Sequence, residues 1–210
     1  MTNRHSETLA LYAKIDQTTD AHFKAHKRQA PCAKGCASCC SQFFEISDLE
    51  YALIIEFMKT LPKEKQAALG VKAETMLDVF KEHWPDFYRD YFSPETDKLH
   101  NNAYYQHIDR FKVMLPCVFL SPEGACEIYE RRPIVCRTTG VGFQYLYNTG
   151  SVCNVIHHGL LTPLWQADLR PFKEAIDDVR WLPDETNELG VKRQYPMFFN
   201  VYKSSVIGKG

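Results

Sequence analysis

Cys32-Ala-Lys-Gly-Cys36-Ala-Ser-Cys39-Cys40 sets four cysteines within nine residues. The residues between them hold neither a helical nor a strand period, and Gly35 and the small neighbours let the backbone turn, so the stretch reads as a loop folded around something compact. Within it Cys36 and Cys39 form a C-x2-C pair, the spacing at which a tight turn aims two sulfurs and nearby N–H groups at one metal. The flanks are helical in pattern. Upstream, Ser6 to about Gln29 carries Leu11, Ile15, His22 and Phe23 on or near one stripe and stops at Ala30-Pro31. Downstream, Ser47-Asp48-Leu49-Glu50 is a capping-box signature that opens an apolar helix from Asp48 to about Thr60.

Pro62 begins another helical stretch reaching roughly Glu82, and Thr96 to Phe111 patterns as a further one. The aromatics around them, from Trp84, Phe87, Tyr88, Tyr91 and Phe92 to Tyr104, Tyr105 and Phe111, read as core between helices, with a ligand cleft as the alternative. Leu115 to Leu120 and Ala125 to Tyr129 are short strand-like runs joined by Ser121-Pro122-Glu123-Gly124, whose proline and glycine positions predict a tight turn and hence a hairpin. Arg131-Arg132-Pro133 breaks it before Cys136. Val141 to Tyr147 predicts one more strand, and Thr162-Pro163 opens a helix to about Arg170 that continues from Pro171 to Trp181. The expected fold class is mainly α with a small irregular β-hairpin portion, an α+β chain forming a single domain over residues 1–210 around a cysteine-bound metal centre.

The chain has 25 Lys plus Arg against 26 Asp plus Glu, a net charge of -1, so no bulk field draws it to nucleic acid or an anionic membrane. Its longest apolar stretches, Val113 to Leu120 and Tyr51 to Ile55, fall far short of a membrane span. The first residues lack the apolar core of a secretory signal, so a cytoplasmic location is expected. In such a reducing compartment the 8 cysteines do not suit a disulfide framework. Cys39 and Cys40 are adjacent, with Cα atoms about 3.8 Å apart, below the disulfide range. In a strand or a helix their side chains diverge, which leaves two roles: sulfurs facing different metals, or one ligand beside a reactive thiol. Together with Cys32, Cys36, Cys117, Cys126, Cys136 and Cys153 they supply enough thiolates for one or two closed sites, suited equally to zinc and to an iron–sulfur cluster.

Cys32, Cys36 and Cys39 also spell the C-x3-C-x2-C of radical-SAM iron–sulfur enzymes. That motif expects an aromatic where Ser38 stands and strand–helix units after it, and it leaves five cysteines unexplained. The fuller pattern is Cys32-x3-Cys36-x2-Cys39-Cys40, then Pro116-Cys117-x-Phe119-Leu120, then Gly124-x-Cys126-x-Ile128-Tyr129-Glu130-x-Arg132-Pro133-x2-Cys136-Arg137, with Cys153 beyond. It closely resembles the YkgJ-type cysteine-cluster family, also called the CxxCxxCC family. The spacer Ala33-Lys34-Gly35 departs from the family's name, which implies two residues there. That family is described as zinc- or iron-chelating and is often labelled an iron–sulfur oxidoreductase, and a flagellin lysine methylase carries a similar domain. The resemblance implies a metal-binding core over residues 32–153 between an N-terminal helix and a C-terminal helical segment. Its cofactor would be an iron–sulfur cluster or, alternatively, zinc.

Arg131, Arg132 and Arg137 flank Cys136. Four thiolates around a divalent cation leave a charge of about minus two, so guanidinium groups nearby would stabilise the ligands. Arg132 and Arg137, which match the family pattern, are the candidates for that role, with salt bridging to Glu127 and Glu130 as the alternative. His157 and His158 read as a nitrogen ligand or as polar surface. His22 and His26 read as a helix face, and His26-Lys27-Arg28 as cations suited to a helix C-terminus. No phosphate loop, nucleotide fingerprint or serine nucleophile motif is present. Three functions follow: an iron–sulfur protein serving a protein redox partner, a structural zinc or interaction module, and, by the methylase resemblance, an enzyme modifying a protein substrate. Neither nucleic acid nor membrane is an expected partner.

Overall fold

The computed structural model describes residues 3–28, 35–41, 45–92, 115–139, 141–143, 166–181, 194–198 and 201–202. Helix α1, Asn3–Ala25, buries Thr8, Leu11, Tyr12, Ile15, Thr19 and Phe23, a single stripe at helical spacing. It ends short of Gln29 because Lys27 takes a left-handed backbone with φ 52°. The Lys27 and Arg28 amides then donate back to the carbonyls of Lys24 (3.0 Å) and Phe23 (2.9 Å), a Schellman closure with lysine in the usual glycine position.

Strand β1, Glu45–Ser47, leads into α2, Asp48–Met58. The capping box forms as its sequence requires. Ser47 Oγ accepts the Glu50 amide (3.3 Å), and the Ser47 amide donates to Glu50 Oε2 (3.2 Å). Helix α3, Lys63–His83, follows Pro62, and a short α4, Pro85–Phe92, continues the chain where only an aromatic-rich stretch was anticipated. Pro85 occupies the first helical position, where its missing N–H costs nothing. Trp84 and Tyr88 do pack on the core, as expected of these aromatics. The helix expected over Thr96 to Phe111 lies outside the described residues.

The expected hairpin is reduced to one antiparallel bridge, Leu120 with Cys126. Its turn is formed, with the Gly124 amide donating to the Ser121 carbonyl (3.0 Å) and Gly124 at φ 77°. No ladder extends from it, because the Leu120 amide closes a turn on the Cys117 carbonyl (3.0 Å) and Tyr129–Arg131 coils into a 3-10 turn. Pro133 then caps α5, Ile134–Thr138, a five-residue helix too short to show a sequence period. Strand β2, Gly142–Phe143, pairs in parallel with β3, Ala167–Asp168. The helix expected up to Arg170 is therefore corrected at residues 167–168. There the Ala167 amide binds the Val141 carbonyl (2.8 Å), and Gly142 admits the Leu169 side chain, into which a Cβ would collide. A 3-10 turn at Arg170–Phe172 precedes α6, Lys173–Trp181, and β4, Gln194–Pro196, pairs antiparallel with β1.

The described chain is mostly helical, and α2 is its central element. Leu49 and Leu53 face α1, α5 and α6 through Leu11, Ile15, Ile134, Ile176 and Val179. Ile54 and Met58 face α3 through Leu69, Ala73, Met76, Leu77 and Phe80, a cluster that continues into Val118, Phe119 and Ile128 of the cysteine-bearing segment. A helix apolar on both sides is buried between layers, and it gives the cysteine loops a fixed floor. No described helix is long and apolar enough to cross a membrane.

Candidate metal centre

Both halves of the cysteine pattern meet in one cavity of about 40 Å³, lined by Cys36, Cys39, Cys40, Cys117, Cys126 and Cys136. One water needs about 10–15 Å³ on this measure, so the space exceeds a single small ion. Each half arrives by local structure. Gly35, at φ 97°, turns the chain ahead of Cys36, and the Cys40 amide closes a turn on the Ala37 carbonyl (2.9 Å). The Cys40 carbonyl then accepts the Cys117 amide (2.5 Å), which stitches the first half to the second. Cys117 itself opens a turn closed by the Leu120 amide (3.0 Å), Cys126 sits in the bridge, and Cys136 is carried by α5.

Cys39 and Cys40 line the same cavity, which corrects the expectation that neighbours diverge. That expectation assumed a strand or helix, whereas residues 38–41 form a turn. Cys32 and Cys153, and with them His157 and His158, lie outside the described residues. Among the described residues, no three Cys, His, Asp or Glu side chains stand at the spacing that closes on one ion. The thiols line the cavity, and all six are free of disulfides.

The electrostatics of this wall resist ionisation. Burial pushes the Cys117 thiol up to about 12 and raises Cys126. Cys136 is raised well above its ordinary value by burial and then by the neighbouring Cys117, Cys39 and Cys126. Cys39 is raised first by its hydrogen bond with Cys40 and then by burial. Thiolates crowded in an apolar wall thus need a compensating cation, and the donor chemistry fits a soft or borderline one. The lining offers sulfur from six cysteines and from Met197, with no His, Asp or Glu among its described members. Binding would displace the thiol protons, so affinity would rise with pH.

Arg132 is the charged member of the lining, and its field favours the thiolates of Cys39 and Cys126. Its guanidinium lies 3.7 Å from the centre of the Tyr129 ring while its Nε donates to the Tyr129 carbonyl (3.1 Å). Arg137 is arranged differently. Its Nε and Nη2 donate to the carbonyls of Arg132 and Glu130 (2.7 Å each), its Nη1 pairs with Asp16, and the group lies 4.4 Å from the centre of the Tyr12 ring. The carboxylate partner of Arg137 is thus Asp16 rather than Glu127 or Glu130, and Glu127 pairs with Lys65 (3.0 Å). Arg131 stands over Phe57. His26 Nδ1 bonds the His22 carbonyl (2.8 Å) on α1.

Met197 and Tyr129 went unrecognised as site residues. Tyr129 stands in the motif within a strand-like run, and Met197 stands in no motif, so only the fold brings it to the cavity. Searches of curated proteins and of solved structures return no match. The model of the CxxCxxCC family, described as a "putative zinc- or iron-chelating domain", matches residues 31–154, more than half of the 210-residue chain. That span begins next to Cys32, ends next to Cys153 and contains every thiol of the cavity, and the chain belongs to the CxxCxxCC family.

Proposed function

We propose that the cavity holds an iron–sulfur cluster and that the protein serves as a redox protein, exchanging electrons with a protein partner in a reducing, cytoplasmic setting. The observation that carries this reading is the sulfur donor set, six free thiols with no His, Asp or Glu among the described lining, around a space larger than one ion. Cys32 and Cys153 are further ligand candidates at the ends of the family match, which makes residues 32–153 the metal-binding core of a single domain. A bound cluster supplies one-electron chemistry. The protein's part is to hold it away from water with Phe119, Ile128 and Met197 and to offset thiolate charge with Arg132. Arg137 contributes by holding the 130–132 backbone rather than by facing sulfur. Anaerobic purification followed by iron, zinc and acid-labile sulfide analysis tests the reading. Brown protein with stoichiometric iron and sulfide supports it, while colourless protein with stoichiometric zinc assigns the site to a structural zinc module.

A further inference from the structure

Glu50 does more than a capping box requires. Its Oε2 accepts the Ser47 amide (3.2 Å) and the Ser47 hydroxyl (3.3 Å), which completes the cap of α2. Its Oε1 accepts the Tyr12 hydroxyl of α1 (3.3 Å) and, at 2.7 Å, the amide of Ile134, 84 residues further along the chain. Ile134 is the first residue of α5, whose own cap residue, Pro133, supplies no side-chain hydrogen bond. A five-residue helix does not hold its own geometry, because nucleation costs more than one turn returns. Its position is set by what grips it. On one side Arg137 is tied to α1, and at the start the Ile134 amide is tied to Glu50, wholly buried in the core. Cys136, between these two anchors, lines the cavity.

We propose that Glu50 is a positioning residue of the metal centre: by accepting the Ile134 amide it fixes α5, and so sets where Cys136 meets the metal. This rests on the reading that the cavity thiols are the ligands. The two oxygens divide the work, Oε2 serving the fold of α2 and Oε1 serving the ligand-bearing helix. Partners that orient ligands are typically worth about 10–100-fold in metal affinity.

The test is a double-mutant cycle on the full-length, metal-loaded protein, reading the rate of metal release to a chelator and the thiolate-to-metal charge-transfer bands. Glu50→Leu, which removes the acceptor that a glutamine oxygen could still offer the Ile134 amide, should speed release about tenfold or more and shift the bands. In a Cys136→Ser background, the same change should leave release unaltered. Ser47→Ala, which strips the cap from the Oε2 side, should lower thermal stability without moving release or spectrum. If Glu50→Leu does not fold, Glu50→Asp, one methylene short of the Ile134 amide, carries the same comparison. Equal acceleration with and without Cys136, or release unchanged by either Glu50 variant, would overturn the inference and leave Glu50 as a helix cap. Wild-type protein that holds no metal would overturn the thiol-centre reading as well, whereas metal held without coupling would overturn the positioning role alone.

Discussion

Arg137→Met should destabilise the metal-loaded protein by about 3–5 kcal/mol, chiefly through the loss of two charge-assisted hydrogen bonds. The Arg137 side chain is 3% exposed, and its fork ends on two backbone carbonyls, those of Glu130 and Arg132. Hydrogen bonds from a charged donor contribute about 1.5–3 kcal/mol each, and the contact with the Tyr12 ring adds about 0.5–2. Water reaching the Glu130 carbonyl, on an exposed residue, returns part of this. The ion pair adds little, because the Asp16 side chain keeps 42% exposure, so Asp16→Asn should cost under about 1 kcal/mol. The informative comparison is Arg137→Lys, which keeps the charge but loses the planar fork. Urea unfolding followed by far-UV circular dichroism measures all three. Methionine and lysine should both fall well below wild type, with asparagine at position 16 close to it. Lysine matching wild type would refute the clamp and return Arg137 to a role of charge alone, the one its place beside Cys136 suggests.

Arg132→Gln should act chiefly on the metal, speeding its release to a chelator while costing less urea stability than Arg137→Met, because Arg132 lines the cavity and makes one backbone bond where Arg137 makes two; Lys63→Glu, on an exposed residue outside the motif, is the control that should change neither. Lys27→Gly should raise thermal stability by up to about 1 kcal/mol by relieving a left-handed lysine, and no gain would mean that the Schellman turn is not strained. Stripping the metal under reducing conditions should loosen residues 115–139 before α2. Hydrogen exchange on matched samples reads the order, and unchanged protection over 115–139 would show that the thiols do not hold that segment.

What the sequence made legible was local. The capping box at Ser47 and Glu50, the Ser121 to Gly124 turn and the apolar face of α1 each depend on residues a few positions apart, and each formed. The cysteines were legible by spacing, since a tight loop constrains where sulfurs go. What escaped was set by distance along the chain. The β1–β4 pair joins three-residue strands at residues 45–47 and 194–196, too short to carry a period. The Schellman end of α1 lacked its glycine signal, and the helix expected through Arg170 yielded to a strand because Gly142 lets Leu169 pack close. The orientation of Arg137 required knowing that residues 134–138 are helical. Neighbours on a helix point about 100° apart, so Cys136 turns to the cavity and Arg137 to α1. The second oxygen of Glu50 could not be read at all, because nothing near it in sequence names Ile134.

The central claim is that thiolates from both halves of the chain ligate one centre through sulfur alone. X-ray absorption at the metal edge of anaerobically purified protein tests it most directly. The account predicts an iron edge, a shell of sulfur near about 2.3 Å with no nitrogen or oxygen ligand, and a nearby iron scatterer, with that shell disturbed by Cys39→Ser in the first half and equally by Cys136→Ser in the second. A shell of nitrogen and oxygen, or one indifferent to either substitution, would contradict it.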